Sequence, residues 1–178
     1  PNPFPDFLRW LPNSEKVVFY DHKRDVARHL IEGTDLICML DFNSLHRLQE
    51  MGDVVANSKA ERLMIDHHLS PDTTCAQTII SHPEMSSTSE LVFRLIYQLG
   101  GYETMTTQGA SALYCGMMTD TGGFTYNSNN PEIYTIISKL LEKGIDKDKI
   151  YRNVFNTYSV DRLRLQGYIL YEKLKFYA

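Results

Sequence analysis

The sequence predicts an α/β fold, a parallel sheet flanked by helices and followed by a mostly helical C-terminal half. Three observations predict it. Short apolar runs alternate with helical periodicity over roughly the first half of the chain, two of these runs end in an acid, and beyond Pro83 the periodicity is helical throughout. In order, residues 16–20 read as a first strand, 23–32 as a helix and 35–41 as a strand, with 45–57 largely helical. Residues 62–66 and 75–81 read as two further strands, the second broken by His82 and Pro83. Ser87 with Glu90 forms a capping box that opens a helix to Leu99, and Gly100 and Gly101 end it. Residues 107–118 form the next helix. Asn130 caps another, with Pro131 at its first position, Ile133, Ile136, Ile137, Leu140 and Leu141 at helical spacing, and Gly144 as its stop. Residues 146–157 and 160–177 complete the helical half.

The chemistry-bearing residues gather where strands end. The run Leu63, Met64, Ile65 reads as a buried parallel strand that delivers Asp66, His67 and His68 to its carboxyl end, where ligands collect in open α/β sheets. The run 35–40 delivers Asp41, followed by Phe42, Asn43 and Ser44. A third segment, Thr119, Asp120, Thr121, Gly122, Gly123, places an acid in a turn after an apolar helix. Mixed aspartate and imidazole donors without cysteine suit manganese better than structural zinc. Two metals about 3.5 to 4 Å apart, bridged by carboxylate, would activate water for phosphoryl displacement.

Each segment also has a plain structural reading. Asp41 can begin a turn, with Asn43 or Ser44 capping the next helix. The adjacent histidines can be one packed and one solvated residue. The Thr-Asp-Thr-Gly-Gly run can be an ordinary tight turn. The occurrence of all three in this order favours chemistry.

As a set, these motifs resemble the DHH phosphoesterases of the RecJ-like superfamily. Asp41 to Asn43 match the second motif, Asp66 to His68 the third, and Thr119 to Gly123 the fourth. The likeness is greatest to the branch that degrades short oligoribonucleotides and dephosphorylates 3′-phosphoadenosine 5′-phosphate. The resemblance implies manganese as cofactor, with two ions in the complete enzyme. It makes Asp41, His67 and Asp120 the metal ligands and Asp41 the bridge. His68 then faces substrate, with Asp66 behind the ligands fixing a histidine tautomer. The implied reaction is hydrolysis by a metal-activated water. Asn43 and Arg47 are candidate substrate-binding residues, Arg47 as a guanidinium fork on phosphate or as a surface ion pair with Glu50 or Asp53. His22, His29, His46 and His82 read as structural.

The family also carries an Asp-x-Asp first motif on an opening strand and a C-terminal substrate domain with a Gly-Gly-Gly-His signature. Neither is found here. Residues 1–178 therefore read as an incomplete DHH domain, expected by itself to hold manganese weakly and to be inactive. Alternatives are a cyclic dinucleotide phosphodiesterase, a family pyrophosphatase and a non-catalytic nucleotide-binding module.

Composition narrows the partners. With 178 residues, 43% of them hydrophobic, the chain can build one core. A net charge of −4 disfavours a sequence-independent grip on long duplex nucleic acid, which needs basic residues to neutralise phosphates, and leaves short oligoribonucleotides or mononucleotides as the expected substrates. The basic residues that thicken from Lys139 to Lys175 read as solvated helix faces. Cys38, Cys75 and Cys115 lack paired spacing and read as reduced core residues. No apolar run reaches membrane-spanning length, and a cytoplasmic location is expected. Leu163, Leu170 and Leu174 form a stripe on the last helix that is available for homodimer formation.

Overall fold

The computed structural model describes residues 3–176. Three strands, β1 (Leu36–Leu40), β2 (Glu61–Asp66) and β3 (Thr78–Ser81), form one parallel sheet in the order β1-β2-β3. The register pairs Leu40 with Ile65 and Asp66 with Ser81, so the carboxyl ends of all three strands open on one side. Helix α1 (Arg24–Glu32) precedes β1, and α2 (Glu50–Asn57) lies in the connection from β1 to β2. The C-terminal half holds α3 (Thr88–Gln98), α4 (Thr107–Asp120), α5 (Pro131–Glu142), α6 (Lys147–Phe155) and α7 (Val160–Tyr168).

The helix starts are fixed by side-chain caps. Ser87, Thr106, Asn130, Asp146 and Ser159 each accept a backbone amide of the turn they open, satisfying donors that otherwise have no partner. The capping box at α3 is half formed. Ser87 Oγ accepts from Glu90 N, but the Glu90 carboxylate reaches Ser86 instead of returning to the Ser87 amide. Gly100 and Gly144 end α3 and α5 in left-handed backbone.

Two apolar clusters hold the molecule. The larger unites Phe93, Tyr114, Met117, Met118, Leu140 and Ile150 among α3, α4, α5 and α6. The smaller, Met39, Met64 and Cys75, lies on the sheet. Helices α3 and α4 approach closely at Gly116, where a Cβ would overlap the Ser89 side chain. Only a residue without a side chain allows that separation.

The structure corrects several sequence expectations. Residues 16–20 are not a strand: Ser14–Lys16 is a short 3-10 turn, and Phe19 O accepts from the amides of His22 and Lys23, which spends that carbonyl on a turn. The helix expected at 45–57 breaks at Gln49 (φ 54°), with a 3-10 turn Leu45–Leu48 before α2. Leu45 O sits so near Gly52 that the two segments fold against each other instead of running on. Strand β3 begins at Thr78, not at residue 75. Asp72 turns the chain by accepting from Thr74 N and Oγ1, and Gln77 Oε1 takes the Arg62 amide, a side chain serving where a ladder carbonyl would.

Asp120 is the last residue of α4 instead of a loop residue. The final helix is α-helical only to Tyr168, continues as a π turn over Ile169–Lys173, and its expected end at residue 177 lies outside the described residues. Cys38 is exposed on the edge strand β1, whereas Cys75 and Cys115 are buried. Leu163, Leu165, Leu170 and Leu174 are each at least half exposed. Among the described residues no helix is long and apolar enough to cross a membrane.

Candidate metal centre

The site is built at the carboxyl ends of β1 and β2, where α4 ends against them. Asp41 follows β1 in left-handed backbone (φ 67°), its amide bonded to Ile65 O. That conformation is open to aspartate because its short polar side chain tolerates the region. Asp66, His67 and His68 follow from β2, and Asp120 arrives from the C-terminal turn of α4.

These residues converge. His67 Nε2 stands 3.1 Å from Asp120 Oδ2 and 3.7 Å from Asp41 Oδ1. Asp41, His67 and His68 each present one ligand atom within 4.8 Å of the others. His67 Nδ1 lies 3.3 Å from the Met85 carbonyl, which can only accept, and Nε2 is turned to the two carboxylates, so a cation taken by Nε2 would leave the ring proton on Nδ1. His68 Nδ1 donates to Asp66 Oδ1 at 2.7 Å, and the His68 amide donates to Asp66 Oδ2. Asp66 is fully buried and, among the described residues, its carboxylate serves His68 alone, leaving His68 Nε2 for the open side. Thr88 Oγ1 donates to Asp41 Oδ1 at 2.9 Å.

The electrostatics favour a cation. Burial, and to a lesser degree the charge of Asp41, push the Asp120 carboxyl above its ordinary value, against the pull of His67 and His68. A positive charge placed between the two carboxylates and the imidazole nitrogen would be stabilised there. Oxygen donors with a tautomer-fixed imidazole suit manganese by the chemistry of the set. A cleft of about 300 Å³ opens beside the cluster, lined by Asp41, Thr88, Ser89, Gly116 and Asp120 among others.

The substrate-binding expectations have a different geometry. Asn43 Nδ2 donates to Leu69 O and Asn43 O accepts from Asp72 N, so Asn43 braces the loop after the two histidines. Arg47 is exposed and makes no ion pair among the described residues, with neither Glu50, which pairs with Arg24 at 2.6 Å, nor Asp53. Sequence reasoning explains the run 86–89 and Glu90 by helix capping and does not single out Met85. A threonine and a glutamate at a helix start look like capping residues, and a backbone carbonyl leaves no signal in the sequence.

Comparison with known proteins gives concordant matches. The profile described as the DHH family, N-terminal domain, matches residues 3–117. An uncharacterised protein of Mycoplasma pneumoniae is 33% identical over 95 residues, covering 53% of this chain and 28% of its own length. A Thermus thermophilus protein named bifunctional oligoribonuclease and PAP phosphatase NrnA is 27% identical over 141 residues, covering 79% of this chain and 39% of that protein. The crystal structure of an exopolyphosphatase-related protein from Bacteroides fragilis superposes with a TM-score of 0.96 at 58% identity, covering 99% of this chain and 52% of that one. The chain thus spans about half or less of the length of each relative.

Proposed function

This chain belongs to the DHH family, and from that premise we propose that it carries the catalytic centre of a manganese-dependent phosphoesterase acting on short oligoribonucleotides or 3′-phosphoadenosine 5′-phosphate. The observation that carries this reading is the convergence of Asp41, His67, His68 and Asp120 at one end of the sheet. Asp41, His67 and Asp120 would hold the metal. Manganese, when bound, supplies a Lewis acid that activates water and neutralises phosphoryl charge.

The chain's own residues do the rest. His67 is locked through its Nδ1 proton, so Nε2 enters the centre as a lone-pair donor. His68 is held from behind by buried Asp66, which turns Nε2 to the open side where the phosphoryl group would sit. The chain's net charge of −4 fits a short substrate gripped at one point better than a long polyanion.

Product analysis tests the proposal. The full-length protein is given a labelled dinucleotide, 3′-phosphoadenosine 5′-phosphate, a cyclic dinucleotide and inorganic polyphosphate, each with manganese and with chelator. Manganese-dependent release from either of the first two supports the reading. Turnover of polyphosphate alone would move the substrate to the chemistry named for the Bacteroides relative, cleavage of the cyclic dinucleotide alone would redirect it again, and no turnover of any would leave a binding module.

A further inference from the structure

We propose that Glu90 is the positioning residue of this centre, a buried carboxylate that clamps the peptide between Met85 and Ser86 and thereby sets the orientation of His67. The inference rests on the metal-centre reading of His67 and Asp41.

Glu90 is 1% exposed. Its Oε2 accepts from Ser86 N at 3.0 Å and from Ser86 Oγ at 2.6 Å, and its Oε1 accepts from Arg94 Nε and Nη2 at 3.0 and 2.7 Å. Arg94 continues to Glu132 at 2.7 Å. Helix capping does not account for this, because the carboxylate bypasses the Ser87 amide that a capping box would take. Fold stability is also a poor explanation, since buried ion pairs often stabilise no better than apolar residues of equal volume.

The geometry gives the carboxylate another task. The Ser86 N–H and the Met85 C=O belong to one planar peptide unit, so fixing the first fixes the direction of the second. That carbonyl accepts from His67 Nδ1 at 3.3 Å and from Asn127 Nδ2 at 3.3 Å. Two residues beyond Ser86, Thr88 donates to Asp41 Oδ1, so the same short segment touches two of the residues assigned to the metal. A charge on α3, remote from substrate, is thereby joined through one peptide plane to the imidazole that faces Asp41 and Asp120. Arg94 holds one oxygen and Ser86 the other, so both oxygens of the carboxylate are engaged as acceptors.

The test uses the full-length protein with manganese alone as the probe. In the metal-free wild type, 15N spectra should show His67 Nδ1 protonated and its proton protected from exchange. Glu90→Ala should lose that protection and bind manganese about ten- to a hundredfold more weakly, whereas Glu90→Gln, which keeps an acceptor for Ser86, should recover most of the affinity. If Glu90→Ala does not fold, the double replacement of Glu90 and Arg94 by methionine removes both charges at similar volume, and should melt near the wild type while showing the same losses. A folded variant of either kind with a protected His67 Nδ1 proton and wild-type manganese affinity would overturn the proposal. A wild type that binds no manganese would instead remove the metal reading, while the exchange measurement still decides the clamp.

Discussion

The sheet region and the helical region are packed differently, and the site draws on both. On the sheet, the buried cluster is small and sulfur-rich, Met39, Met64 and Cys75, while Leu36 and Leu40 on β1 and Val26 and Leu30 on α1 are largely exposed. In the helical region, Met117, Met118, Ala110 and Leu140 are completely buried within one continuous core. Three of the converging side chains, Asp41, His67 and His68, stand on the thinly packed region, and Asp120 stands on the densely packed one. Local stability follows the density of buried contacts, so the centre joins a compliant part to a firm one. Helix α3 straps them together, with Phe93 in the large core and Thr88 on Asp41.

Removing the firm region's contribution should have the largest effect. Asp120→Ala is expected to reduce manganese-dependent turnover by more than about a hundredfold and to leave the melting temperature nearly unchanged, because among the described residues its carboxylate pairs with His67 alone; retained turnover would take Asp120 out of the centre. Next comes the contrast between cores. Leu140→Ala should cost about 2–5 kcal/mol in urea unfolding, and Met39→Ala should fall at the low end of that range, because its half-exposed neighbours can close in. Equal losses would show that the two regions are equally firm. Gly116→Ala puts a methyl where Ser89 already stands. A cost of about 1–3 kcal/mol is expected, with weakened manganese binding as α3 and Thr88 shift; a change in stability without one in binding would uncouple the strap from the site.

The smallest effect concerns the thiols. Burial pushes Cys115 up to about 11, so at pH 8 it is almost wholly protonated and should label with iodoacetamide only after denaturation, whereas exposed Cys38 should label in the native protein. Because the native thiol holds its proton longer than the unfolded one, stability should fall as pH rises from the ordinary thiol value toward 11, and Cys115→Ala should flatten that fall. Rapid native labelling of Cys115 would mean that the helical core opens.

The legible parts of the molecule were those with local causes. An apolar run closed by an acid marks β1 and β2 wherever they pack, and Ser87, Asn130 and Asp146 cap their helices through atoms two or three residues away. Residues 16–20 failed because a strand exists only with a neighbour, and Val17 and Phe19 have the composition of a strand without the partner. The motif residues were visible as types in sequence. Their orientation was not, since the direction of His67 depends on a carbonyl eighteen positions away and that of Asp41 on Thr88, forty-seven away.

The left-handed backbone at Asp41 has an evolutionary corollary. Few side chains tolerate that conformation, and asparagine is one of them. Asparagine differs from aspartate by a single nucleotide, keeps the shape and can still accept from Thr88. A lineage could therefore silence the charge at this position in one step without disturbing the fold, and on the proposed reading a homologue with asparagine there would have lost one of the assigned metal ligands while keeping its shape.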